Sequence, residues 1–262
     1  MVKHIFCLTF AFIIGVACNK PYVESFPPTS KSCEQILEET DPLLLLAQQL
    51  AYHDIANGVD TAYQNEVLLP PQKQQKIYTD LLAIKKLANA EADTVFNLCQ
   101  IPLYYDDTLM RHLTVKVKQS PCTSTTFSIW TGVSKKCPLG DEIIFKYNIQ
   151  TYNYTKEFEP GSTTDFFYTV NLVACKPLNM VGLLKKLKAD SLVKSAINHP
   201  SYKKPPLVVS MQKTQTHTDY QFGYGWGTCQ QGCAYWRYWT FRVDKNNKAI
   251  FLHSQGDNSP QF

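Results

Sequence analysis

The sequence has 262 residues, with 44% hydrophobic and 13% aromatic residues and a formal net charge of +4. This composition excludes a globally disordered chain, and the length suffices to bury one sizeable hydrophobic core or two small ones. We expect no nucleic-acid partner, because the net charge is small and the N-terminus indicates export.

The N-terminus has the features of an export signal. Lys3 provides a short positive start, and residues 5–17 form an apolar run. This run is too short to span a bilayer comfortably as a permanent helix, but it has the length of a secretory hydrophobic segment. We therefore predict a signal peptide over residues 1–17.

The signal ends in Gly15-Val16-Ala17-Cys18. This end resembles the lipobox of bacterial lipoproteins, in which a small residue precedes the cysteine that is diacylated and becomes the new N-terminus. The resemblance implies lipidation of Cys18 and anchoring of the exported chain to the lipid bilayer of the cell envelope. Gly15 stands where the usual motif has leucine, and it also suits ordinary cleavage after Ala17. A secreted soluble protein is therefore the alternative, and an uncleaved anchor is a third interpretation.

Residues 18–31 contain three prolines and several serines and threonines, a composition that predicts a semi-extended tether. The following residues, 32–104, have the apolar spacing of helices. Asp41 can cap a first helix that begins at Pro42, a favoured first position. Asn57 and the glycine after it predict the end of this helix.

A second, longer helix is predicted from Pro71 to Pro102, because apolar residues recur at steps of three and four up to Cys99. The remainder, residues 105–262, alternates apolar and polar residues in several segments, which predicts antiparallel strands. A short helix is expected at 177–188, and the last two strands at 234–243 and 249–253. The predicted fold class is α+β, with N-terminal helices packed with a mostly antiparallel β-sheet, ending in a disulfide-stapled β-hairpin.

Cysteine usage agrees with export. Two of the nine cysteines are Cys7 and Cys18, and the other seven are Cys33, Cys99, Cys122, Cys137, Cys175, Cys229 and Cys233. Such density in an exported chain suggests disulfides, and the odd number leaves at least one thiol without an internal partner. We predict the pairs Cys122–Cys137, Cys33–Cys99 and Cys229–Cys233. Cys175 is the expected unpaired thiol.

The densest motif lies at residues 225–233, within a segment rich in glycine and aromatic residues. Glycines at 223, 225 and 227 are poorly suited to a packed strand, so a tight path is expected there. Cys229 and Cys233 are four residues apart and would share a face of a helical turn. A disulfide on such a turn is therefore expected.

This motif, Gly-Trp-Gly-x-Cys-x-x-Gly-Cys followed by Arg-Tyr-Trp-Thr-Phe, resembles a C-terminal element of exported bacterial proteins of unassigned function. The resemblance spans residues 220–257. It implies export and a shared folding unit, and it implies no reaction. The residues that carry it are Gly225, Trp226, Gly227, Cys229, Gly232, Cys233, Arg237, Trp239 and Phe241.

Four interpretations of the motif remain open at this point, and one of them is a catalytic Cys–His pair. The first is a structural staple of disulfide and packed aromatic rings. The second is a metal or redox site, in which His217 or His253 supplements Cys229 and Cys233, although their spacing is unusual for zinc. The third is a ligand surface with a cation–π contact to the arginine, formed by Tyr224, Trp226, Trp236, Arg237 and Trp239.

Two functional hypotheses follow. The first is a non-enzymatic, membrane-tethered lipoprotein that acts as a binding or envelope-structural module for an envelope protein, a peptide or a glycan, with no cofactor and no metal. The alternative is an exported hydrolase or a thiol- or metal-dependent enzyme with a site near Cys229, Cys233, His217 and His253. The sequence contains no phosphate-binding glycine loop, His-Glu-x-x-His pair or Gly-x-Ser-x-Gly elbow.

The lipobox resemblance gives a direct prediction. Intact-mass analysis of the membrane-bound protein should find a diacylglyceryl-modified Cys18 as its first residue. The Cys18→Ser variant should leave the membrane fraction if the lipid is the only anchor. A mature soluble protein that begins at unmodified Cys18 would reject lipidation.

Overall fold

The computed structural model describes residues 24–25, 41–101, 108–118, 143, 146–199, 207–229 and 232–258. The predicted lipidation residue Cys18 lies outside these residues, as do Cys33, Cys122 and Cys137. Within them the chain has the predicted α+β fold, and its strands form two antiparallel sheets.

The helices are α1 (Pro42–Ala56), α2 (Pro71–Lys85), α3 (Ala90–Asp93), α4 (Thr108–Arg111) and α5 (Met180–Lys188), with a 3₁₀ turn at Thr61–Tyr63 and a π-helical turn at Thr94–Leu98. The strands are β1 (Glu24–Ser25), β2 (His112–Lys118), β3 (Ile149–Phe158), β4 (Phe166–Ala174), β5 (Val193–Asn198), β6 (Leu207–Lys213), β7 (His217–Trp226), β8 (Tyr235–Asp244) and β9 (Ala249–Gly256). The five-stranded sheet has the order β1-β3-β4-β2-β5, and the four-stranded sheet has the order β6-β7-β8-β9.

Helix α1 begins and ends where the sequence predicts. The Asp41 carboxylate accepts a hydrogen bond from the backbone N–H of Leu43 at 2.9 Å, and Pro42 is the first helical residue. Asn57 caps the other end, and Gly58 follows with a φ of +73°, a left-handed conformation that glycine adopts without strain. Local side-chain chemistry therefore sets the length of this helix.

The second predicted helix is divided in the structure, so its continuity was wrongly predicted. The Asn89 side chain accepts a hydrogen bond from the backbone N–H of Ala92 at 2.8 Å and caps a new helix, α3. The predicted apolar face is confirmed except at Ala88, which lies between the two segments and is exposed. Its other members are all buried: Ile77, Leu81, Ile84, Ala92, Val95 and Cys99.

The predicted tether at residues 18–31 also needs correction, because part of it belongs to a sheet. Strand β1 pairs with β3, with Glu24 opposite Tyr154 and Ser25 opposite Asn153. An outer strand offers unpaired backbone donors and acceptors to any extended neighbour. The apparent tether thus supplies the edge of the five-stranded sheet.

Each sheet covers its own hydrophobic core, and α1 belongs to both. Leu46 and Leu50 pack in the core beneath the four-stranded sheet, together with α2. Tyr52 and Ile55 pack in the core beneath the five-stranded sheet, together with α5. A helix that serves two cores needs apolar residues on more than one side, which is the pattern that α1 has.

Helix α5 approaches the loop before α2 at close range. Asn179, directly before α5, donates from Nδ2 to the carbonyl oxygens of Tyr63 and Glu66, both at 2.7 Å. A Cβ atom at Gly182 would lie only 2.0 Å from the Glu66 oxygen. The absence of a side chain at Gly182 therefore permits this contact.

A buried hydrogen bond connects α2 to the four-stranded sheet. The Tyr220 hydroxyl of β7 donates to Asp80 Oδ2 at 2.9 Å, and Lys76 Nζ lies 2.7 Å from Asp80 Oδ1. Only 1% of Asp80 is exposed. Burial, followed by the nearby Asp80 charge, raises the pKa of Tyr220, so the hydroxyl keeps the proton that it donates.

Tyr220→Phe should lower the free energy of unfolding by about 1–3 kcal/mol, because a buried carboxylate loses a donor. Tyr78→Phe is the matched control, since the Tyr78 hydroxyl donates to Asp41 at the surface, where water can replace it. Urea denaturation of both variants measures the difference. Equal destabilisation by the two substitutions would show that burial of the Tyr220–Asp80 hydrogen bond does not increase its contribution to stability.

Candidate functional site

The residues of the glycine-rich motif form a β-hairpin. Strands β7 and β8 pair without interruption from His217 opposite Asp244 to Trp226 opposite Tyr235. The prediction that the alternating glycines avoid a strand was therefore wrong for Gly223 and Gly225, which lie inside β7.

Aromatic rings from β8 compensate for these two glycines. A Cβ atom at Gly223 would lie 2.7 Å from Cε1 of Tyr238, and one at Gly225 would lie 3.0 Å from Cε2 of Trp236. These two pairs are also direct partners in the register. Each ring fills the space above a glycine, which restores packing that a glycine in a strand lacks.

The Cys229–Cys233 disulfide is present as predicted, with its Cα atoms 3.9 Å apart. It lies in the connection between β7 and β8 and packs against Gly225, where a Cβ atom would be 2.7 Å from Cys233 Sγ. We expected a helical turn at the bridge, but the described backbone there is not helical. Gly227 and Gly232 have φ values of +91° and +119°. The bridge therefore closes a hairpin connection, and the two cysteines do not share a helical face.

Trp239 does not belong to a ligand surface, although the sequence placed it there. It is only 3% exposed, and it packs in the core beneath the four-stranded sheet. Its partner in the register is Phe222, which is also buried. The alternation of β8 directs this ring toward the helices, so Trp239 stabilises the fold.

The same face of the sheet continues past the core as a row of rings. Tyr224 and Trp226 are 6.1 Å apart, and Trp226 and Tyr235 are 5.8 Å apart, with an angle of 23° between the ring planes in each pair. Half of the Tyr235 surface is exposed. Arg237, on this face too, donates to Ser254 Oγ at 2.6 Å and to a β9 carbonyl, so it connects β8 to β9.

The opposite face carries two further rings. Trp236 and Tyr238 have centroids 5.8 Å apart and planes inclined by 11°. Asp257 holds the backbone of Trp236 in place, since its Oδ2 accepts from the Trp236 N–H at 3.0 Å and its own N–H donates to the Trp236 carbonyl at 2.8 Å.

The predicted ligand surface is thus divided: three of its residues lie on one face, Trp236 lies on the other and Trp239 lies in the core. Two exposed or half-buried members, Tyr235 and Tyr238, were missing from it. The period-two alternation of residues 235–242 already separated the two sets. It could not show which set faces the helices, because that depends on the pairing of β8 with β7.

The histidines of the alternative site lie elsewhere. His217 is at the far end of β7, about 30 Å along the strand from Trp226. His253 pairs with Thr240, which is five residues or about 17 Å from Tyr235. The structure therefore does not bring His217 and His253 to Cys229 and Cys233. Among the residues it describes, no three His, Cys, Asp or Glu side chains are placed to hold a metal ion.

Both histidines instead lie near Asp219. His217 Nε2 is 3.7 Å from Asp219 Oδ2, and Arg242 donates to the two carboxylate oxygens at 2.7 and 2.8 Å. The hydrogen bonds from Arg242 lower the pKa of Asp219, with smaller contributions from the charges of His217 and His253. Both oxygens of the Asp219 carboxylate accept hydrogen bonds from Arg242, an arrangement typical of a structural ion pair.

The roles of two other cysteines are the reverse of those predicted. Cys99 is a free, buried thiol, so the Cys33–Cys99 pair is not formed. Cys175 is bonded in a disulfide, and its partner lies outside the described residues. Cys99 faces the apolar core beneath the four-stranded sheet, and burial there raises its pKa to about 11.

Thiol mapping should separate these cysteines. Alkylation of the native, unreduced protein at pH 8 should leave Cys99 unmodified, because the buried thiol is protonated and inaccessible. The same reagent should modify Cys99 after denaturation, while the peptide with Cys229 and Cys233 keeps the mass of the oxidised form in both samples. Cys99 found in a disulfide, or Cys229 alkylated without reduction, would contradict this assignment.

The chain matches no known protein family, no curated protein and no solved structure. No helix among the described residues is both long and apolar enough to cross a membrane. The functional interpretation therefore depends on the contacts in the structure. In the four-stranded sheet they place a cluster of aromatic side chains beyond the hydrophobic core, at the disulfide end of the β7–β8 hairpin.

Proposed function

We propose that this chain is an exported protein, anchored to the membrane through acylated Cys18, that acts as a binding module. Its ligand surface is the hairpin tip, defined as residues 224–226 and 235–238 with the Cys229–Cys233 disulfide. The observation that carries the proposal is a set of five aromatic side chains at the tip, none of them fully buried: Tyr224, Trp226, Tyr235, Trp236 and Tyr238.

Aromatic side chains of this kind suit recognition. Trp and Tyr offer a large apolar area together with a polar group, and they are enriched at binding surfaces for that reason. They also have few rotatable bonds, so their immobilisation on binding costs little conformational entropy. The polar requirements of a ligand can be met nearby by Arg237 and Asp257.

The tip is also held in a fixed shape before any ligand arrives. The disulfide closes the connection, Gly223 and Gly225 seat two rings against β7, and Asp257 fixes the backbone of Trp236. Preorganisation of this kind increases affinity, because less ordering remains for the binding step. These restraints support a ligand surface over a flexible loop.

A cross-linking experiment tests the ligand surface in the native envelope. A photoreactive phenylalanine analogue replaces Tyr235, whose side chain is half exposed, and in a matched control it replaces Gln75 on the exposed side of α2. Irradiation should give a defined cross-linked product from position 235 and none from position 75. Identical products from both positions, or none from position 235, would reject the hairpin tip as the ligand surface.

A further inference from the structure

The face of the hairpin tip that carries Trp236 and Tyr238 has a distinct geometry. The two ring planes are nearly parallel, and the rings lean across β7 into the space above Gly225 and Gly223. No β7 side chain stands beneath the rings, and Trp236 shares the space above Gly225 with the Cys229–Cys233 disulfide. Atoms of both rings therefore lie where β7 side chains would otherwise stand.

A third apolar group extends this surface. Val208 of β6 pairs with Gly223, and its Cβ lies 3.6 Å from the position that a Cβ at Gly223 would take. Its side chain is 44% exposed. Val208, Tyr238 and Trp236 therefore form a continuous apolar platform across three strands.

The polar groups beside the two rings are neutral amides and a hydroxyl, apart from Asp257, whose carboxylate accepts from the Trp236 N–H. Gln255 pairs directly with Tyr238, and Gln221 is two residues from Gly223 on the same face. Ser210 pairs with Gln221. An amide both donates and accepts hydrogen bonds, as a hydroxyl does. Asp219 and Arg242, which are charged and lie on this face, form hydrogen bonds with each other.

We propose, as an extension of the proposed function, that this platform binds a neutral glycan through two consecutive pyranose rings. The C–H groups on one side of a pyranose carry partial positive charge and suit the negative face of an aromatic ring. The centroid spacing of 5.8 Å allows neighbouring sugars to stack on separate rings. Gln221 and Gln255 then exchange hydrogen bonds with the sugar hydroxyls.

The position of Trp236 and Tyr238 within the sheet argues against an extended peptide. Strands β7 and β8 are interior strands, and the backbone groups of each are paired with neighbours on both sides. Addition of a peptide strand needs an open edge with free donors and acceptors. A ligand on this face therefore has to be recognised by side chains, and the available side chains are aromatic rings and neutral amides.

Titration calorimetry of the purified full-length protein tests the inference, with cellohexaose, maltohexaose and the hexamer of β-(1→4)-linked N-acetylglucosamine as probes. At least one probe should bind, and Trp236→Ala should weaken it by about tenfold or more. Trp236→Phe, which keeps a ring, should bind better than Trp236→Ala. Phe158→Ala removes an exposed ring from the other sheet and is the control that should leave the affinity unchanged.

Other outcomes would overturn the glycan assignment in distinguishable ways. Loss of binding in Tyr235→Ala but not in Trp236→Ala would place the ligand on the opposite face of the tip. Failure of all three probes, with a product still formed by cross-linking at position 235, would reject the glycan and leave the hairpin tip as a ligand surface. Sedimentation of Cys18→Ser with phosphatidylglycerol vesicles, abolished by Trp236→Ala, would identify a lipid surface as the occupant.

Discussion

Helix α1 contributes side chains to both hydrophobic cores, and the rest of the structure depends on this arrangement. Leu46 and Leu50 pack beneath the four-stranded sheet, whereas Ile55 packs beneath the five-stranded sheet. Each core alone is small. Small domains bury a smaller fraction of their surface than large ones, so each core alone would contribute limited stability. A shared helix gives the two sheets a common structural element, so disruption of α1 affects both.

The extent of the hydrophobic core along β7 also explains why the aromatic side chains of the hairpin tip are not fully buried. Along β7, Tyr220 and Phe222 are fully buried, and Tyr220 is fixed by Asp80 of α2. Past Phe222 the strand continues for four residues, of which Tyr224 still packs against this core. Trp226, farther along, is consequently not explained by packing in the core. The disulfide and the two ring-covered glycines keep this extension ordered although the helices do not cover it.

Features that depend on nearby residues could be predicted from the sequence. Asp41 and Pro42 begin α1, and the alternation of residues 235–242 indicates β8. The spacing of Cys229 and Cys233, together with the predicted export signal, indicates their disulfide. Features that depend on distant residues could not. Gly225 looks unfavourable in a strand until Trp236 covers it from β8. Trp239 looks like a ligand residue until the strand register directs it toward the core beneath the four-stranded sheet. Cys99 is a free thiol because it faces the apolar side chains of that core.

The pairing of β1 with β3 limits how far an anchored domain can reach. Six peptide units separate Cys18 from Glu24, so this stretch spans at most about 20 Å even when fully extended. With Cys18 in the bilayer, the edge of the five-stranded sheet would stay within that distance of the headgroups. This edge could then reach only a thin layer parallel to the membrane. A short connection would raise the effective concentration of the domain for any target held in that layer. Such a domain would favour targets fixed at the envelope surface over those diffusing farther away.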